Sequence, residues 1–225
     1  MVKPPRPRKF TVRHQELDAF AQRLASPSAI QRFLNQCAYS THDACASPFR
    51  VMRSASAHCA EGAYFAAAML RLMGHPPLVL DLSAEQDDDH VIAPFRSNGK
   101  WGAVAKSNTT MLRYREPVYR SLRELAMSYF EMYFNIRGLK SLRGYSRPLS
   151  LARFDRHCWM VSDDDLEYIG DYLTLCPHTP LLTPAEVARC SAADGDLMRV
   201  CFSGSDPAGL FVPDDESDAL SATTG

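Results

Sequence analysis

Cys59-Ala60-Glu61-Gly62-Ala63-Tyr64-Phe65-Ala66-Ala67-Ala68-Met69-Leu70-Arg71-Leu72-Met73-Gly74 is the most apolar helical stretch of the chain. Its apolar positions run nearly all round a 3.6-residue period, which predicts a helix buried on every side. Gly74 stands where such a helix would stop. Cys59 falls on the first turn, where unpaired N–H groups and the positive end of the helix dipole favour thiolate over thiol. An unpaired cysteine is more often an inert buried residue, so position alone does not make it reactive. Gly62 has no side chain and invites a close approach by another part of the backbone.

Working outward toward the C-terminus, Pro76-Pro77 breaks the helix and Leu78-Val79-Leu80-Asp81-Leu82 reads as a strand. An acidic loop carries Glu85, Asp87, Asp88 and Asp89, and His90-Val91-Ile92-Ala93-Pro94-Phe95 is a second strand. Asn98-Gly99 is a strong two-residue hairpin signal, returning the chain as a third strand over Trp101 to Asn108. A two-residue turn pairs Ser97 with Lys100. By counting, His90 then opposes Ser107, or Asn108 if one residue bulges. An Asn side chain there could accept from one imidazole nitrogen and fix the tautomer, leaving the other nitrogen for a thiolate, so that Cys59 and His90 form a thiolate–imidazolium pair.

Before the apolar helix, Gln15 to Leu24 places Leu17, Phe20, Ala21 and Leu24 on one helical face. Ser28 to Ala38 reads as a second helix and the polar stretch Tyr39 to His58 as a loop. After the hairpin, Val118 to Phe134 reads as one long amphipathic helix behind Pro117. Ser162-Asp163-Asp164-Asp165 has the form of a capping box opening a last helix to Leu175. Lys140 to Cys201 carries no chemical motif and is expected to cover one side of a cleft. Helices, then a short antiparallel sheet, then helices make an α+β domain. The expected organisation is a flexible, basic, Pro-rich arm over 1–10, one domain over 11–202, and an acidic, solvated tail over 203–225.

Composition narrows the function classes. The chain has 225 residues, 46% hydrophobic and 23% charged, the balance of a soluble protein with a sizeable core. Its formal net charge is −1, which argues against a whole-surface nucleic-acid or anionic-membrane binder. The run Ala63 to Leu70 is too short to span a bilayer. The basic start leads into no apolar segment of a secretory signal. Seven scattered cysteines without CxxC spacing suggest free thiols in a reducing cytoplasm. His157-Cys158 and Cys176-Pro177-His178 fit no common zinc spacing. Asp87-Asp88-Asp89 lacks the glycine and distal glutamate of an EF-hand. Arg113-Tyr114-Arg115, with Tyr119, Arg120 and Arg123, reads as the wet face of a helix rather than an anion site. No metal or cofactor is implied.

The order of a Cys at a buried helix start, a His on a second strand and a polar residue on a third carries a resemblance. The stretch Cys59 to Asn108, with Cys59-x-Glu61-Gly62-Ala63, Asp88-Asp89-His90-Val91 and Trp101-Gly102, resembles the transglutaminase-like superfamily, relatives of the papain-type cysteine enzymes. Lys106-Ser107-Asn108 through Leu125 looks like a small bacterial branch of it. The resemblance implies Cys59 as nucleophile, His90 as general base and acid, and Asn108 as the orienting third member. Many members carry Asp in that third place, and this strand has none, so Ser107 or a residue elsewhere stays an alternative. The implied activity is hydrolysis or acyl transfer at an amide or related acyl bond, through an acyl-enzyme. The alternatives are a catalytically silent binding domain of the same fold and a peptide-tailoring acyltransferase. The backbone N–H of Cys59 is the expected oxyanion donor, with Asn35 or Gln36 as candidates for a second. The expected partner is a peptide, amide or acyl substrate.

Overall fold

The computed structural model describes residues 11–42 and 44–213. The expected arm over 1–10 and the end of the expected tail lie outside them. In chain order the elements are α1 (Val12–Leu24), α2 (Pro27–Gln36), β1 (Ala38–Tyr39), α3 (Pro48–Ser54), β2 (Ser56–Ala57), α4 (Cys59–Leu72), β3 (Leu78–Ala84), β4 (His90–Ser97), β5 (Lys100–Val104), β6 (Arg115–Tyr119), α5 (Leu122–Met127), β7 (Leu142–Ser146), β8 (Leu149–Ser150), α6 (Glu167–Thr174), β9 (His178–Pro180), α7 (Pro184–Val187) and α8 (Gly195–Phe202). The fold is α+β, built on an antiparallel sheet of order β6-β5-β4-β3-β7-β9 with β8 on β3.

The apolar helix behaves as its composition requires. Glu61 to Leu70 of α4 are all buried, and each large apolar side chain among them contributes about 2 kcal/mol of transfer free energy. Gly74 ends the helix at φ +91°, where a side chain would be strained. The N-terminus is tied by Glu61, whose carboxylate accepts from His58 N at 2.8 Å and from Ala46 N at 2.7 Å.

Strand alternation divides the core in two. Val79, Val91, Ala93, Phe95 and Val104 pack toward α4. Leu80, Leu82, Ile92, Ala103 and Ala105 pack on the opposite face with Leu112, Leu125, Tyr129 and Tyr133. The hairpin takes the expected register, Ser97 opposite Lys100 and Ala93 opposite Val104. Asn98 and Gly99 both have positive φ, 48° and 76°, as a type I′ turn needs.

The third strand ends at Val104 instead of running to Asn108. Beyond it the backbone of Ala105 is held by both ends of the Gln31 amide, at 2.8 and 3.0 Å. The buried Lys106 ammonium donates to Leu34 O and Cys37 O at the end of α2, at 3.1 and 2.6 Å. These bonds draw the chain away from β4 and toward α2. Gly62 makes room for it: a Cβ there would lie 2.2 Å from Lys106 Cβ.

The expected long helix over Val118 to Phe134 is not formed. Arg115–Tyr119 is instead edge strand β6, paired with β5, and an edge tolerates Pro117. Extended Ser121 then caps α5 by accepting from Glu124 N at 3.1 Å, and Ser128 ends it by donating to Leu125 O. The expected helix over Ser162 to Leu175 starts only at Glu167. The Asp165 carboxylate is used instead to hold Cys45 N and Glu167 N, both at 2.9 Å. The expected loop Tyr39 to His58 contains α3 and a two-residue parallel pairing of β1 with β2.

Candidate active site

Cys59, His90, Asn108 and Ser107 all line one cavity of about 560 Å³. Its wall also holds Tyr39, His58, Asp87, Asp88, Asp89 and Tyr133, and no Lys or Arg stands among its described lining residues. Asn35 and Gln36 are exposed and are not part of it, so neither is placed as an oxyanion donor.

Cys59 occupies the first helical position of α4, with His58 as the N-cap. His58 Nδ1 accepts from Ala60 N at 3.2 Å, a capping role that leaves it no free hand as base. The Cys59 sulfur lies against the start of β4, 3.9 Å from the Asp89 carbonyl oxygen to which it can donate, and the nearby backbone N–H groups of Val91 and Ala60 act to lower its pKa. Those donors favour thiolate, but burial outweighs them and pushes the thiol up to about 11, with Asp88 and Asp81 acting in the same direction. This runs against the thiolate that a helix start favours. The helix start supplies only partial charges, whereas desolvation acts on the whole anion.

His90 opens β4 and is buried at 4% exposure. Its Nε2 lies 2.8 Å from the Leu112 carbonyl oxygen. A carbonyl only accepts, so Nε2 carries the proton and Nδ1 keeps its lone pair. Burial lowers the imidazole to about 4, with the Leu112 carbonyl raising it and Arg115 lowering it. The ring meets Tyr129 and Tyr133 edge-on, at 6.3 and 6.4 Å between centroids. No hydrogen bond joins Cys59 to His90. The sulfur's hydrogen-bond partner is instead the Asp89 carbonyl, one residue before His90.

Asn108 does not take the third place. Its Nδ2 donates to Asp206 O and its Oδ1 accepts from Asp206 N, both at 2.8 Å. Ser107 is turned to Thr109, accepting from its N at 3.1 Å. The partner of the His90 ring is the backbone carbonyl of Leu112, which residue types alone do not reveal. Arg115 holds that loop in place. Its guanidinium donates to Met111 O, Tyr114 O, Ser128 O and Ser128 Oγ at 3.0 to 3.2 Å, and lies 3.9 Å over the Tyr129 ring. Tyr129 in turn donates to Arg113 O at 2.9 Å. The cluster expected on a wet helix face is thus partly a set of internal staples.

The acidic loop is also structural. Tyr133 donates to Asp88 O at 2.6 Å, Ser141 donates to Asp87 Oδ2 at 2.6 Å, and Asp89 accepts from Ala84 N at 2.7 Å. Burial raises Asp87 to about 6. Among the described residues no group of three or more His, Cys, Asp or Glu could hold a metal ion, and no helix is long and apolar enough to cross a membrane. The expected tail does not begin free at Ser203: Ala208 to Phe211 line the cavity, and the segment is tied by Asn108 and by Arg137, which donates to Pro213 O at 2.9 Å. No protein-family model and no curated protein matches the chain.

Proposed function

We propose that the chain is a cysteine-dependent hydrolase or acyltransferase of transglutaminase-like fold, acting on an amide or related acyl bond. The observation that carries this reading is the joint placement of Cys59 and His90 on one cavity, with the Leu112 carbonyl holding the imidazole in the tautomer a general base needs. Leu112 O replaces Asn108 as the orienting member of the proposed constellation.

The reaction starts from a neutral thiol and a neutral imidazole. Burial disfavours each charge alone, but moving the proton from Cys59 Sγ to His90 Nδ1 keeps the site neutral overall. The sulfur attacks the acyl carbon, and the electron pair moves to the carbonyl oxygen. The cavity has no described cation, so that oxyanion is met by helix-start N–H groups, with Cys59 N–H foremost. The C–N bond then breaks, His90 Nδ1–H gives its proton to the leaving amine, and a thioester remains on Cys59. Water, deprotonated by His90, releases the acid; an amine in its place completes a transfer. A second reading, a cleft that binds without chemistry, draws on the absence of a Cys59–His90 hydrogen bond and on the raised thiol.

The test uses p-nitrophenyl acetate as acyl probe, with nitrophenolate release followed by absorbance and the acetyl group located by peptide mass spectrometry. Acetylation is expected at Cys59, absent in Cys59→Ala and slowed about 100-fold in His90→Ala. Acetylation spread over the exposed cysteines, indifferent to His90, would move the assignment to the silent cleft.

A further inference from the structure

The side-chain amide of Asn108 is buried at 8% exposure, yet both of its ends are spent on one distant peptide unit, Asp206. Ser205 Oγ adds a bond to Asn108 O at 3.2 Å, and the Asp206 carboxylate caps the turn Pro207–Gly209 through Ala208 N at 3.0 Å. Gly209 presses flat on Tyr39, where a Cβ would lie 2.6 Å from the ring and 3.1 Å from Asn108 Nδ2. The chain then runs through Leu210 and Phe211, which line the cavity that holds Cys59. Its flanks are fixed by Phe202 on Phe134, 5.8 Å between centroids, and by Arg137 on Pro213 O.

We propose that Asn108 is a positioning residue whose task is to hold the strap 205–211 over the cleft, so that Leu210 and Phe211 form an apolar substrate wall. That wall sets the size of acyl group that reaches the Cys59 sulfur. The inference rests on Cys59 as the reacting atom of the cleft. Its chemistry is that of a latch: the Asn amide sets an N–H donor and a C=O acceptor in one plane, matching the C=O and N–H of one backbone residue. Asp keeps the acceptor and loses the donor.

Cys59 alkylation by iodoacetamide and by the bulky N-(1-pyrenyl)maleimide, read cysteine by cysteine by mass spectrometry, tests this. Exposed Cys158 serves as reference in the same sample. In Asn108→Ala the ratio of bulky to small labelling at Cys59 is expected to rise about tenfold or more, since each lost bond shifts strap release several-fold. Asn108→Asp should fall between. Gly209→Ala, which pushes the strap off Tyr39 and crowds the Asn108 amide while keeping its donor and acceptor, should raise the same ratio. A Cys59 ratio unchanged in both alanine variants, or a change matched at Cys158, overturns the proposal. Failure of the nucleophile reading looks different: the strap variants still change the ratio, while His90→Ala leaves p-nitrophenyl acetate turnover unaltered.

Discussion

Replacing Gly62 by alanine drives a methyl group into Lys106. The added Cβ would stand 2.2 Å from Lys106 Cβ, 3.1 Å from Cγ and 3.4 Å from Cα. Carbon atoms rest about 3.5–4.0 Å apart, so helix and loop must separate by about 1.5 Å. The loop cannot yield cheaply. Lys106 Nζ is bonded to Leu34 O and Cys37 O, and Ala105 on both its N–H and C=O to Gln31. Overpacking of this kind costs about 1–3 kcal/mol, and the tethers place Gly62→Ala at the upper end. Lys106→Ala and Lys106→Gly both remove the ammonium, but only Gly removes the Cβ that collides. Urea unfolding of the single and double variants separates the two effects. The Gly62→Ala/Lys106→Gly pair should recover about 2 kcal/mol relative to additivity, and Gly62→Ala/Lys106→Ala clearly less, only the part owed to the lost Nζ tethers. Equal recovery by both, or a Gly62→Ala variant as stable as the parent, would refute the packing argument.

Acid titration should divide the buried groups by sign. His90 is lowered to about 4, so as pH falls from 6.5 toward 4 the unfolded chain takes up that proton first and stability is lost; His90→Gln should remove this loss. Asp87 is raised to about 6, so over pH 6 to 4 the folded state takes up its proton first and stability is gained. Asp87→Asn should therefore help more at pH 7.5 than at pH 4.5, by about 1–2 kcal/mol in paired thermal melts, and a difference of opposite sign counts against a buried Asp87. Glu61→Ala leaves His58 N and Ala46 N without their carboxylate and should cost about 3 kcal/mol in urea unfolding, with Glu61→Gln milder. Arg115→Ala should loosen the Leu112 carbonyl, so that nitrogen NMR of His90 shows a mixture of tautomers where the parent shows the Nε2–H form alone.

Local pattern was enough for the frame of the site. An all-round apolar period can only be satisfied by burial, so α4 and the placement of Cys59 at its start follow from residue types alone. Asn98-Gly99 sets a two-residue turn, and that turn sets the register of β4 on β5. Even the close approach at Gly62 was legible, although Lys106 as the neighbour was not. What escaped the sequence depends on partners far along the chain. The edge pairing that makes β6 a strand, against a helical pattern over Val118 to Phe134, exists only once β5 is in place. The orienting group of His90 is a backbone carbonyl, which every residue possesses and no residue type announces. Asn108 has the right chemistry for that role, but the C-terminal segment folds back and takes both of its hydrogen-bonding ends. The charge states of Cys59 and His90 were decided last, because desolvation is a property of the assembled wall and not of the helix or strand that carries each group.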